Sequence, residues 1–207
     1  MRIVKQSVQL VQCTPEPEKL IERMGRICYK SEDKITEDSS KKFLEMLLAR
    51  GHESVLEHAV ASFIITTSRG PTHEIVRHRI ASYSQESTRF CNYSKDGFGS
   101  EITVIEPPGL NDSSLNHWTN TVLECEENYM KMIKDGVKPE TARSILPTCL
   151  KADIGVTMNF RQLRHFLRLR TSKAAHPEMR EIAFMIATEL AKISPTLFSE
   201  FLPKEAT

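Results

Sequence analysis

Residues Arg77-His78-Arg79-Ile80-Ala81-Ser82-Tyr83-Ser84-Gln85-Glu86-Ser87-Thr88-Arg89 form the most informative stretch of the chain. Three arginines and a histidine fall within thirteen residues, alongside hydroxyls, an amide and a single acid, Glu86. A guanidinium presents a planar fork of donors that matches phosphate in two-pronged fashion. The stretch therefore reads as an anion-binding loop, with donors enough for more than one phosphate. The plainer reading is a solvated loop with incidental charge. Arg77 and Arg79 end a predicted helix, where the dipole favours cations whatever the function. Arg89 has no such explanation.

A second basic element spans Asn159-Phe160-Arg161-Gln162-Leu163-Arg164-His165-Phe166-Leu167-Arg168-Leu169-Arg170. At helical spacing Arg161, Arg164, His165 and Arg168 share one face, while Phe160, Leu163 and Leu167 line another. No acid occurs from Ile154 through Pro177. Most charged helical faces are merely solvated. A face of one sign favours an anionic partner: a phosphorylated ligand, nucleic acid or a membrane surface. The third element, Gly51-His52-Glu53-Ser54-Val55-Leu56-Glu57-His58, offers two His and two Glu. A zinc pair needs His at i and i+4, and these histidines are six apart, so no metal site is expected. Ser87 lacks any surrounding nucleophile signature, and no Gly-rich phosphate cradle occurs. Any nucleotide is held by arginines.

The elements that must position these groups follow from pattern. Residues 2–12 alternate as a strand. A helix is predicted over about 17–30 behind Pro15 and Pro17. Another runs from an Asp38-Ser39-Ser40 cap to Arg50, with Gly51 as its stop. Val60 to Ser68 reads as a buried strand. Gly70-Pro71-Thr72 opens a short helix ending in the Arg-His-Arg, and 82–100 reads as loop. Ile102 to Ile105 is a short strand. Asp112-Ser113 caps a long helix to Asp135. A short helix starts at Lys138-Pro139-Glu140, a strand covers 149–158, and helices follow at 159–171 and from His176-Pro177-Glu178 to Ile193. Strands and helices mix without regular βαβ alternation. The expected class is α+β, with helices around a central, mostly antiparallel sheet in a single domain over 1–207.

Composition is that of a folded globular chain, 40% hydrophobic and 27% charged over 207 residues. The net charge of +1 excludes a generic polyanion binder, so attraction for anions must be local. Five cysteines without a C-x-x-C pattern fit free thiols in a reducing compartment. With no long apolar run, a cytoplasmic protein without membrane contact is expected.

Arg77-His78-Arg79, seven residues and then Ser87 resembles the signature of flavin-dependent thymidylate synthases. Gly51-His52-Glu53-Ser54 resembles the family's upstream G-H-E-[S/T]. Thr141-Ala142-Arg143-Ser144-Ile145-Leu146-Pro147 resembles its A-R-x-x-L-P segment. Asn159-x-Arg161 with Leu169-Arg170 resembles its N-x-R…L-R helix. The four motifs stand in the family's order.

The resemblance implies a homotetramer with active sites shared between subunits. It implies FAD as cofactor, dUMP as substrate, and methylenetetrahydrofolate and NADPH as co-substrates, with no metal and no nucleic acid. Ser54, Arg77, His78, Arg79, Gln85, Asn159, Arg161 and His165 would contact flavin. Glu74, Arg77, Gln85, Glu86, Ser87, Arg89, Arg143 and Arg170 would contact dUMP, partly through backbone N–H groups of the 85–89 segment. Arg170, against the uracil edge, would be catalytic. Glu74 stands where the family commonly has Gln, and His165 where some members have Asn. A nucleic-acid binder using both arginine clusters is the alternative; it predicts affinity falling steeply with salt.

Overall fold

The computed structural model describes residues 1–203. Six strands form: β1 (Arg2–Val4), β2 (Ser7–Cys13), β3 (Val60–Ser68), β4 (Ser82–Gln85), β5 (Thr103–Ile105) and β6 (Lys151–Asn159). The helices are α1 (Pro17–Ile27), α2 (Ser39–Ala49), α3 (Arg69–Ile75), α4 (Asp112–Lys134), α5 (Pro139–Ala142), α6 (Phe160–Arg170), α7 (Pro177–Ile193) and α8 (Pro195–Phe198). The class is α+β, as the patterns predict. β2, β3, β6 and β4 hydrogen-bond in that order as an antiparallel sheet, and β1 pairs with β5 in parallel.

The chain packs as two compact units. One comprises Met1–Ser7, Ile65–Val76 and Ser84–Ile154; the other, among the described residues, Val8–Ile64, Arg77–Tyr83 and 155–203. In the first, Tyr93, Ile102, Val104, Val122, Tyr129, Ala142 and Leu150 form the core. In the second, α6 turns Phe160, Leu163, Phe166 and Leu167 inward, and α7 turns in Ile182, Ile186 and Leu190. Phe160 meets Phe198 edge-on at 5.0 Å.

β6 alternates without exception between buried and half-buried residues, the signature of a strand with one face in the core. β3 shows a similar rhythm. Ala61, Phe63 and Ile65 are buried, whereas Ile64 is 42% exposed. The strand expected over Val60 to Ser68 forms with one face buried and the other partly exposed. Outward hydroxyls find partners instead: Ser62 Oγ lies 2.8 Å from Thr157 Oγ1, and Thr66 Oγ1 donates to Asp153 at 2.6 Å.

Four local expectations shift. The first strand breaks at Lys5-Gln6, where Gln6 is buried and accepts from Thr67 Oγ1 at 2.6 Å. The α4 cap is Asn111, whose side chain accepts from the Ser114 N–H. The polar stretch after Ile80 begins with strand β4. α3 stops at Ile75, so the Arg-His-Arg lies beyond the helix, not in its last turn. The dipole argument for Arg77 and Arg79 loses its force accordingly.

In α1 and α2 a glycine sets the approach of the two helices. A Cβ on Gly25 would lie 2.6 and 2.9 Å from ring atoms of Phe43. That ring is buried, and Arg26 covers it at 4.5 Å. Gly25→Ala gains helix propensity of about 1 kcal/mol, but overpacking costs roughly 1–3 kcal/mol. A net loss of about 1 kcal/mol is expected in urea unfolding; a more stable variant would show that α2 yields freely.

Candidate functional site

His78 is the centre of the second unit's polar chemistry. It is only 6% exposed. The ring packs edge-on to Phe166 at 4.8 Å and to His165 at 6.0 Å. Arg170 Nε donates to His78 Nε2 at 3.1 Å. A guanidinium only donates, so Nε2 must carry a lone pair and the proton sits on Nδ1. The Gln162 amide lies 3.4 Å from Nδ1. Amide oxygen and nitrogen interchange by a half turn, and only the oxygen complements Nδ1–H. Tyr83 Oη donates to the His78 carbonyl at 2.6 Å, and burial pushes its phenol up to about 12.

Burial, then the charge of Arg170 and the neighbouring His165, lowers the His78 pKa to about 4. His78 is therefore a neutral acceptor at physiological pH. It orients Arg170, and its own seat is fixed by α6, which supplies Gln162, His165, Phe166 and Arg170 alike.

α6 starts where Asn159 caps it, accepting from the Gln162 N–H at 2.8 Å. Beside it lies a cleft of about 400 Å³ lined by Glu53, Glu57, Ile80, Asn159, Arg161, Gln162, His165 and Arg168. Of the residues expected at flavin, Asn159, Arg161 and His165 meet here. Ser54 is exposed on the adjacent 3-10 turn and does not line the cleft. Arg77 and Arg79 are exposed and lie outside its lining.

The basic face of α6 differs from its helical-wheel picture. Arg164 is 3% exposed, donating to the Leu197 carbonyl and pairing with Glu200 at 2.6 Å. Arg161 pairs with Glu57 at 2.6 Å, and Arg168 with Glu53. Glu53 is held below the usual carboxylate range by its hydrogen bond from Arg168, against the opposing effect of burial. The acids missing from the helix arrive from Gly51-His52-Glu53-Ser54 and the turn after it. This compensated face disfavours the polyanion alternative. The cleft retains guanidinium donors for phosphate, amides for polar edges and the apolar Ile80, which is 68% exposed. Its size is within the usual range for ligand pockets. The Arg164 Nε is buried without a hydrogen bond, 3.8 Å from Glu53. The cleft's own lining, with Arg161 and Arg168 as donors, Asn159 and Gln162 as amides and Ile80 as an apolar wall, fits a flavin nucleotide.

The first unit holds the other expected residues. Gln85 Nε2 donates to Thr72 Oγ1 at 3.0 Å. The Ser87 carbonyl accepts from the N–H groups of Phe90 and Cys91, closing a tight turn, and its Oγ accepts from the Arg89 N–H at 3.2 Å. Arg89 is exposed, lies 5.3 Å over the Phe90 ring and pairs with Glu140 at 3.2 Å. Arg143 donates to Thr88 Oγ1 at 3.3 Å. Arg89, Arg143 and Ser87 thus gather around one turn. The Glu86 carboxylate points inward, accepting from Tyr93 Oη at 2.8 Å and Lys151 Nζ at 3.0 Å. Its N–H donates to the Asp153 carbonyl, so that donor is already engaged. Glu74 sits half-buried on α3.

Sequence reasoning missed Gln162, Glu53 and Glu57 as lining groups, and Tyr93, Lys151 and Asp153 as partners of Glu86. The Lys-x-Asp spacing on an alternating strand was a usable signal for the last two. Among the described residues no cluster of His, Cys, Asp and Glu could hold a metal ion, and no helix is long and apolar enough to cross a membrane.

The profile of the thymidylate synthase complementing protein family matches residues 9–196. A flavin-dependent thymidylate synthase of Geobacter sulfurreducens is 35% identical over 203 residues, covering 95% of this chain and 87% of that one. One from Pyrococcus abyssi is 37% identical over 192 residues, covering 89% and 79%. Among solved structures, a thymidylate synthase from Helicobacter pylori with FAD and dUMP overlays with a TM-score of 0.78 at 25% identity, covering 96% of this chain and 100% of that one. A UMP/dUMP methylase from Streptomyces cacaoi bound with 5-Br dUMP overlays with 0.84 at 22% identity, covering 97% and 96%, a likeness of fold. Matched along most of its length, with its motifs in order and relatives at this level of identity, the chain belongs to the thymidylate synthase complementing protein family.

Proposed function

We propose that this protein is a flavin-dependent thymidylate synthase. It converts dUMP to dTMP with methylenetetrahydrofolate as carbon donor and NADPH as reductant, releasing tetrahydrofolate. The observation that carries this reading is the Arg170–His78 pair beside the α6 cleft, with the motif residues Asn159 and Arg161 on its wall.

FAD, when bound, supplies the two-electron redox chemistry that links NADPH to the growing methyl group. The protein's part is position and electrostatics. Arg161 and Arg168 serve phosphate in the cleft, with Glu57 and Glu53 as their counterions in its absence. Ser54, Arg77, His78, Arg79, Gln85 and His165 complete the flavin contacts. Glu74, Arg77, Gln85, Ser87, Arg89 and Arg143 receive dUMP. Glu86 holds the shape of that loop. Arg170 sets a cation against the uracil edge, favouring ionisation at N3 and making C5 electron-rich. A bond then forms from C5 to the folate's methylene carbon as that carbon's two bonds to folate nitrogen break, the nitrogens take up protons to give tetrahydrofolate, the C5 proton leaves, and a hydride equivalent from NADPH, which becomes NADP+, completes the methyl group. No enzyme nucleophile is required, consistent with Ser87 being tied into its turn. The working form is a cytoplasmic homotetramer with shared sites, and residues 1–207 act as one domain.

The visible spectrum of the protein supplied with FAD tests this directly. A bound-flavin band is expected, bleached by NADPH and recovered with dTMP formation once dUMP and methylenetetrahydrofolate are present. Absence of the band after FAD addition would overturn the reading, as would a yellow protein that makes no dTMP.

A further inference from the structure

Glu86 is the only acid in the basic stretch, and every one of its polar atoms is engaged inside the first unit. Oε1 accepts from Tyr93 Oη at 2.8 Å, and Oε2 from Lys151 Nζ at 3.0 Å and the Asp153 N–H at 3.3 Å. Its N–H donates to the Asp153 carbonyl at 2.9 Å, and its carbonyl accepts from Arg69 at 2.7 Å. Lys151 also bonds Asp153 at 2.5 Å, and Asp153 in turn accepts from Thr66. The side chains of Lys151 and Glu86 are 22% and 15% exposed. Burial opposes the Lys151 charge, but its bonds to Asp153 and Glu86 prevail and raise its pKa.

A carboxylate one residue before Ser87 poses an electrostatic problem. Set free, it would repel a phosphate held by Ser87, Arg89 and Arg143. Tyr93 and the Asp153 N–H are neutral donors and Arg69 meets the Glu86 carbonyl; Lys151, shared with Asp153, is the cation bonded to the Glu86 carboxylate itself. We propose that Lys151 is a positioning residue for nucleotide binding: it holds the Glu86 carboxylate inward and so fixes the 87–91 turn in the shape that receives the nucleotide phosphate. This rests on the reading of residues 85–89 as the dUMP cradle.

The experiment uses full-length, FAD-loaded protein and measures dUMP affinity by calorimetry, with KM and kcat at saturating folate and NADPH. Lys151→Met leaves a half-buried carboxylate without its cation, so dUMP affinity is expected to weaken about tenfold, with kcat at saturating dUMP changed by less than about threefold. Adding Glu86→Gln removes the stranded charge while keeping an acceptor for Tyr93. The double variant should bind dUMP at least about threefold more tightly than the single. A lysine that touched the phosphate directly would give no such rescue, and an unrescued double variant overturns the positioning role. Lys151→Met that binds dUMP like wild type overturns the inference alone, leaving the enzyme assignment intact. Wild-type protein that binds no dUMP overturns both. If Lys151→Met lacks the native circular dichroism spectrum, Tyr93→Phe serves instead: it removes one Glu86 bond, keeps the ion pair and should weaken dUMP binding about threefold. Unchanged affinity in that variant counts against the proposal.

Discussion

With the role proposed for Arg170, Arg170→Ala should lower turnover of dUMP about 10²–10³-fold, the size expected when a preorganised charge at the reacting centre is removed. Flavin affinity should stay within about threefold, because the cleft wall formed by Asn159, Arg161 and His165 does not include Arg170. The loss should fall on kcat more than on KM, since a cation that stabilises charge developing on the uracil acts mainly in the transition state. Arg170→Lys separates charge from shape. Lysine keeps the charge but loses the planar fork and the Nε–H that meets His78 at 3.1 Å. It should recover about a tenth to a third of the lost turnover in logarithmic terms, less than charge alone would restore. Normal turnover in Arg170→Ala would remove this residue from the chemistry. Equal loss of turnover and flavin binding would make it a structural end to α6.

The sequence and the structure agree where information is local. The 3.6-residue period of 159–171 produces α6 within a residue of its bounds, and the alternation of 149–158 becomes β6. The Asn159 cap, a local device whose side chain accepts from the residue three ahead, sets the start of α6 one residue inside the expected span. β4 was illegible because Ser82-Tyr83-Ser84-Gln85 carries no apolar rhythm and exists as a strand through pairing in the four-stranded sheet. The charge state of α6 was illegible for the same reason at greater range. Glu57 and Glu53 lie 104 and 115 residues away from Arg161 and Arg168. A helical wheel counts neighbours along one element and cannot count carboxylates delivered by another. Arg164 shows the same limit: its position on the wheel predicts solvent, but the chain after α7 folds over it. The family motifs nevertheless included Glu53's segment, so the resemblance pointed at the right stretch before its chemistry was evident.

His78→Phe keeps an aromatic ring but removes the acceptor that aims Arg170, and kcat/KM for dUMP should fall about 10²-fold through misplacement of a cation that itself remains. His78→Gln restores an acceptor and should recover at least about tenfold of that loss. Failure of Gln to outperform Phe would mean that His78 acts by another route than orienting Arg170. A second readout is independent of turnover. In the folded protein His78 titrates at about 4, chiefly through burial and then the Arg170 charge; unfolded, it titrates near 6.5. Above pH 6.5 both states are neutral here and this residue adds no pH dependence. Between 6.5 and 4 the unfolded chain takes up a proton that the folded one refuses, so stability falls as pH falls. From pH 7 to pH 5 the loss is about 2 kcal/mol. The depressed carboxylates Glu53 and Asp153 lose their contribution only lower, as pH falls below the ordinary carboxylate range. Urea unfolding of wild type and His78→Phe at pH 7 and pH 5 therefore isolates the histidine. Wild type should lose about 2 kcal/mol more than the variant over that interval, and equal losses would mean that His78 is not held neutral by its burial against Arg170.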